Sequence, residues 1–183
     1  MMGKSHVAGG AGIAGIVCGG VRYGLRSSDA FYECAMPVLY HAGRFLFPYG
    51  TDGAAGVLYA VFAAACFLFG TLAPDMDNPD SILGRRFYIP AGHRGIMHSV
   101  WPVVLLFAAS CAAGPLRPLA FAAIGYSTHL LLDAPSATGI PLLWPFRGRH
   151  RFRLYSTGEI TEYIFLGFVL IVAGMCMFAG FRP

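Results

Sequence analysis

The sequence predicts an all-α fold: a polytopic membrane helical bundle of about five transmembrane or membrane-embedded helices, forming a single domain over residues 1–183. Three observations predict it. Hydrophobic residues make up 56% of the chain and charged residues only 12%, with a mean hydropathy of +0.60, whereas a water-soluble domain is about 25% charged. Apolar runs follow one another, and a membrane span needs about 20 such residues. The few ionisable residues recur at the ends of those runs, where they are costly beside lipid and mark a site.

The elements follow in order. The first run, about Val7 to Val21, is short and glycine-rich, and Gly12, Gly15 and Gly19 have the spacing that lets helices approach closely. It reads as a retained helix rather than a signal peptide, because no A-x-A-like cleavage site follows and no convincing lipobox precedes Cys18. The stretch Phe31 to Phe47 is apolar and aromatic but contains Glu33, Pro37, His41 and Arg44, so an interfacial or re-entrant segment is expected. The second run, Gly53 to Ala73, has full spanning length and stops at Pro74. The third runs from about Ile96 to Ala113 and the fourth from about Leu119 to Asp133. The fifth, near Glu159 to Phe181, again has full length, and Ser156-x-x-Glu159 reads as its capping box.

The net charge of +4 and pI near 8.9 do not point to nucleic acid. The basic residues lie in loops between apolar runs, with no basic helix or aromatic RNA-binding motif. Anionic lipid headgroups or phosphorylated substrates are the better partners. Trp144 and Phe146, with Pro141 and Pro145, suit a membrane–water interface. Cys18, Cys34, Cys66, Cys111 and Cys176 are dispersed without a C-x-x-C pair, and are expected to be small apolar packing residues.

With five crossings, the N-terminus, the 74–95 loop and the 134–158 loop lie on one side of the membrane. His6 begins the first helix, Asp75 and Asp77 follow the second, and His93 and His98 precede or begin the third. His129 and Asp133 end the fourth, and Glu162 lies in the first turn of the fifth. All share one membrane face; were Phe31 to Phe47 to span, His6 would leave the group. That face carries Lys4, Arg85, Arg86, Arg94, Arg147, Arg149, Arg151 and Arg153 against Arg22, Arg26, Arg44, Arg117 and Arg182 opposite. The positive-inside rule then puts the site in the cytoplasm.

The chemistry follows from residue type and spacing. His129 and Asp133 are four apart and share a helix face. Asp75 and Asp77 are two apart and project together from an extended segment. His93 and His98 fit a loop histidine followed by a helical one, and Glu162 is the ligand where Glu159 caps the helix. Mixed histidine and carboxylate ligands favour zinc, with manganese or iron as alternatives, over magnesium or calcium. Eight candidates exceed one tetrahedral shell, so two divalent ions are expected, arranged to activate a water and hold a phosphoester. Asp75 or Asp77 is the candidate general base. Arg94 either grips a substrate phosphate through a bidentate contact or serves a headgroup or helix end. Ser99 is a candidate hydrogen-bond partner of a ligand and lacks the G-x-S-x-G surroundings of a nucleophile. His41 and His150 fall outside the pattern.

Leu72-Ala73-Pro74-Asp75-Met76-Asp77, His93-Arg94-Gly95-x-x-His98-Ser99, Gly125-Tyr126-x-x-His129-x-x-x-Asp133 and Thr157-Gly158-x-x-x-Glu162 resemble the YdjM-type family. These are bacterial inner-membrane proteins regarded as metal-dependent hydrolases and also labelled LexA-binding; nothing else in this sequence carries the LexA label. The resemblance runs from His6 to the last helix and implies a polytopic protein with a hydrolytic metal site at these positions. More distantly, the order Asp, His, His-x-x-x-Asp, Glu is similar to that of the zinc-dependent phospholipase C and P1-type nuclease group, which favours phosphoester hydrolysis. Met97, Glu159 and Asn78 depart from the family pattern, where threonine, serine and histidine are common.

The expected function is therefore a membrane-embedded metal-dependent hydrolase cleaving a phosphoester, in a lipid or lipid-linked substrate, by metal-activated water. The rivals are a non-enzymatic membrane scaffold or regulator with a structural metal or His–Asp cluster, and a metal or proton transporter. The transporter needs polar residues through the bilayer, and the middles of the second, third and fifth runs contain almost none.

Overall fold

The computed structural model describes residues 3–48, 53–90, 92, 94–112, 116–146 and 148–181. Among them the regular structure is helical: α1 (Gly3–Ser27), α2 (Asp29–Leu46), α3 (Gly53–Leu72), α4 (Trp101–Ala112), α5 (Leu119–Asp133) and α6 (Ile160–Phe181). Short 3₁₀ turns at Ala73–Asp77 and Ile96–His98 follow α3 and precede α4. Only isolated β-bridges, Ser136 with Tyr155 and Ile140 with His150, tie the 134–158 loop together.

The burial pattern is inverted relative to a water-soluble bundle. On α6, Ile164, Phe168, Ile171, Met175 and Phe178 recur at helical spacing on the outside, each 63–72% exposed. On the same helix Glu162, Val169, Ala173 and Gly180 are buried. On α3, Leu58 and Val61 face outward while Gly56, Ala63, Gly70 and Thr71 face inward. Large apolar side chains outside and small or polar ones inside are what a bilayer selects, since lipid solvates the former and leaves packing to small residues.

Close approach makes the bundle. α1 packs along α6, and α3 along α5, with α4 and α1 also against α5. The expected glycine stripe lies in the first seam: Gly12 faces Val169, Gly15 faces Ala173, and Gly19 sits against the backbone of Cys176. A Cβ on Gly19 would overlap that backbone, so only glycine permits this separation. In the second seam Gly70 lies against the Ala122 carbonyl and Gly125 against that of Phe67.

Of the five expected crossings, two match helical stretches long and apolar enough to span, Gly53–Asp77 and Ile160–Phe181. α1 extends well beyond Val7 to Val21 and has 25 residues, but its glycines and its polar ends dilute its hydropathy. α4 has 12 residues, starting after the Ile96–His98 turn rather than at Ile96. At 1.5 Å per residue that is about 18 Å, short of a hydrocarbon core of about 30 Å. α5 matches the predicted run and has 15 residues.

The segment Phe31 to Phe47 forms α2, capped by the Ser28 hydroxyl accepting from the Phe31 N–H at 3.3 Å, with no buried residue. Its start folds onto Gly24. Beyond its end, Phe47 meets Tyr59 and Phe121. Both ends are thus pinned to the end of the bundle opposite His6. The cysteines differ from expectation: Cys18, Cys34 and Cys111 are exposed on the apolar exterior rather than packed inside.

Candidate metal centre

Five chain segments converge at one end of the bundle. The start of α1 brings His6, the turn after α3 brings Asp75 and Asp77, the turn before α4 brings His98, and the end of α5 brings His129 and Asp133. The start of α6 brings Glu162. His6, His98, His129 and Glu162 are 0% exposed, Asp133 1% and Asp77 2%. His93 lies outside the described residues.

Four of these groups form a ring. His98 Nε2 stands 3.7 Å from Asp75 Oδ1 and 3.7 Å from Asp133 Oδ2. His129 Nε2 stands 3.8 Å from the same two oxygens. These separations exceed the roughly 3.2 Å limit of a good hydrogen bond. Donors bound at about 2.0–2.1 Å around a tetrahedral zinc lie roughly 3.3–3.4 Å apart, a few tenths of an ångström less than these four pairs. His129 Nδ1 donates to the Thr71 carbonyl at 2.8 Å, and its Nε2 has no hydrogen-bond partner. That bond sets the tautomer and aims a lone pair into the ring.

His6 extends the cluster. Its ring stacks on that of His129 at 3.6 Å, its Nε2 is 3.4 Å from Asp133 Oδ1, and neither of its nitrogens has a hydrogen-bond partner. Two triads therefore have the closeness a metal needs, His6–Asp75–His129 and His98–His129–Asp133. They share His129, whose single available nitrogen can serve one ion.

The remaining candidates have other places. Asp77, expected among the ligands, stands behind His98: its Oδ2 lies 3.4 Å from His98 Nδ1 and accepts the Arg94 backbone N–H at 2.9 Å. A carboxylate behind a ligating histidine orients the ring and raises its basicity. Burial disfavours the charged His98 ring, but the Asp75 and Asp77 carboxylates, with Asp133 nearby, outweigh it and push its pKa up to about 9. An ion entering the ring must displace that proton.

Arg94, expected to grip a phosphate, is held by the protein. One nitrogen donates to Ser136, to Thr138 and to the Gly139 carbonyl, and the other lies 3.5 Å from Asp133 Oδ2. Its backbone sits at φ 59°, a strained conformation for a non-glycine residue. Glu162 accepts the Gly158 N–H at 2.7 Å, while Thr161 Oγ1 accepts that of Ser156 at 3.0 Å. These two bonds, rather than a Ser156–Glu159 box, tie the loop before α6 to its first turn; Glu159 is exposed. Ser99 turns to the Ile96 carbonyl at 2.6 Å, within its own turn. The Thr71 carbonyl and the Arg94 latch were missed from the sequence, because a main-chain acceptor carries no residue signature.

A cleft of about 740 Å³ opens beside the ring, lined by Lys4, Asp75, Asn78, Ser81, Arg85 and Arg94 among others. Asp75 is its route to the cluster, with a side chain 13% exposed against 2% or less for the other carboxylates.

A helical bundle with an apolar exterior, small-residue seams and a closed histidine–aspartate cluster at one end defines a membrane protein with a candidate metal centre. The chain belongs to the YdjM inner membrane protein family, whose profile matches residues 1–182. It is 39% identical over 93 residues to the inner membrane protein YdjM of Escherichia coli K12, covering 44% of this chain and 47% of that protein. The Shigella flexneri protein of the same name aligns equally. The uncharacterized protein YvsG of Bacillus subtilis 168 is 35% identical over 115 residues, covering 58% of this chain and 72% of that protein. The chain thus spans about half the length of its E. coli and Shigella relatives. No solved structure matches it.

Proposed function

We propose that the chain is a multi-pass inner-membrane, metal-dependent hydrolase that cleaves a phosphoester in a lipid or lipid-linked substrate. The observation that carries this reading is the buried cluster of His98, Asp75, His129 and Asp133, whose facing nitrogen and oxygen atoms lie 3.7–3.8 Å apart, with His129 Nε2 aimed into it and without a hydrogen-bond partner. Its donors suit zinc foremost, or manganese or iron. Asp133 has its second oxygen toward His6, so a second ion would share that carboxylate. When bound, such ions supply Lewis acidity toward a water and a phosphoryl oxygen.

The chain's own residues divide the remaining work. His98, His129 and Asp133 are closed off and hold; Asp77 and the Thr71 carbonyl orient the two rings. Asp75 borders both cluster and cleft, which suits it to accept a proton from an attacking water. The cleft is also what favours a hydrolase over a scaffold with a closed structural metal. The larger share of basic residues at this end supports a cytoplasmic site.

The test is metal analysis of the purified protein, alone and with His129→Ala plus Asp133→Ala, followed by a phosphodiester and phospholipid hydrolysis screen. Bound zinc that disappears in the double variant is expected. Unchanged metal content would remove the ligand assignment, and a metal-loaded protein inert on every substrate would leave the scaffold.

A further inference from the structure

Two loops leave the site end of the bundle with several large apolar side chains turned outward. In the 78–95 loop, Phe87 is 61% exposed, Tyr88 53% and Ile82 51%. In the 134–158 loop, Phe146 and Phe152 are each 72% exposed, and Trp144 40%. Neither stretch belongs to a spanning helix. Beside water, such a patch would be a liability.

The charges interleaved with these rings choose among possible covers. Arg85, Arg86, Arg149, Arg151 and Arg153 are all exposed, and Asp80 is the one acid in residues 78–95 and 134–158. Aromatic rings alternating with arginines, with a single acid among them, suit the headgroup layer: rings and stems enter the acyl boundary while guanidinium groups meet phosphates. A protein partner would place acidic residues here, but an anionic leaflet already surrounds an embedded bundle. Arg85 belongs to this collar and also lines the cleft, where Lys4, Arg85 and Arg94 outnumber Asp75 and Asp80.

We infer that these loops seat the site end in the headgroup layer, and that the cleft takes the phosphorylated headgroup of a lipid from that leaflet, with Lys4 and Arg85 as its cationic partners. The second half rests on the hydrolase reading; the first does not. The substrate then arrives along the bilayer rather than from water.

The experiment uses the full chain in nanodiscs. With Trp101→Phe, Trp144 becomes the only tryptophan. Its fluorescence is expected to be quenched more by lipids brominated near the headgroup than by lipids brominated deep in the chain. Quenching by aqueous iodide alone would overturn the seating. For the cleft, phosphatidylglycerol retained after detergent extraction is counted in Lys4→Gln plus Arg85→Gln, with Arg44→Gln plus Arg117→Gln at the opposite end as control. Retention is expected to fall about fivefold per charge removed at the cleft and little in the control. Equal retention in both would overturn the headgroup site. Lipid binding and metal content are separate readouts, so loss of one proposal leaves the other standing.

Discussion

His129 shows most directly how individual side chains set the chemistry. One ring nitrogen is committed to the Thr71 carbonyl at 2.8 Å, so the other is fixed as a donor for an ion. Asp77 does the same for His98 from 3.4 Å. Asp77→Asn is therefore expected to keep the metal stoichiometry while weakening affinity about 10- to 100-fold, as loss of an orienting partner does; competition with a chelator measures it. His6→Ala should lower zinc from two equivalents to one, whereas His129→Ala should remove the ring ion. Unchanged zinc in the His6 variant would leave a single ion in the ring. Glu162→Gln should leave metal content unchanged and lower stability by roughly 0.5–2 kcal/mol, because its carboxylate serves the Gly158 N–H at the helix start. Spacing alone marked His129 and Asp133 as partners, since four residues make one helical turn. It could not separate Asp75, which faces the ring, from Asp77, which stands behind His98, because two-residue alternation disappears when the chain winds into a 3₁₀ turn.

Helices meet here through what they lack. Gly12, Gly15 and Gly19 form the face of α1 that receives α6, and Gly70 and Gly125 bring α3 and α5 together. Gly19→Leu is expected to destabilise the protein by about 1–3 kcal/mol or more, because the added atoms must displace the Cys176 backbone. Gly20→Ala, one position along, meets nothing within 4 Å and should leave the unfolding temperature in detergent unchanged. Since both substitutions raise helix propensity, a matching loss at both positions would show that close approach at the seam is not what Gly19 provides. The glycine spacing was legible in the sequence because a packing stripe repeats every helical turn. Helix lengths were less so: α1 outran its apolar portion at both ends, and α4 began late because the Ile96–His98 turn and Ser99 carry the chain into it.

The whole molecule is asymmetric from end to end, with an ionisable centre and cleft at one end and the α2 cap at the other. Residue 27 at the end of α1 and residues 80 and 157 near the cleft should therefore face opposite sides of the membrane. In a cysteine-free background, Asp80→Cys and Thr157→Cys are expected to react with an impermeant maleimide from the same side, and Ser27→Cys from the other. With a cytoplasmic site, Ser27→Cys alone reacts in intact spheroplasts. All three reacting from one side would refute the end-to-end arrangement. The sequence by itself determined the helical class, the membrane environment and which end of each helix carries the ionisable groups, because hydropathy and helical periodicity are properties of neighbouring residues. Only the tertiary structure decided which groups face a common point and which are spent elsewhere. Arg94 is latched to Ser136, Thr138 and Gly139, and Glu162 to the start of its own helix. Those assignments depend on distances between segments far apart in the chain, which local spacing does not contain.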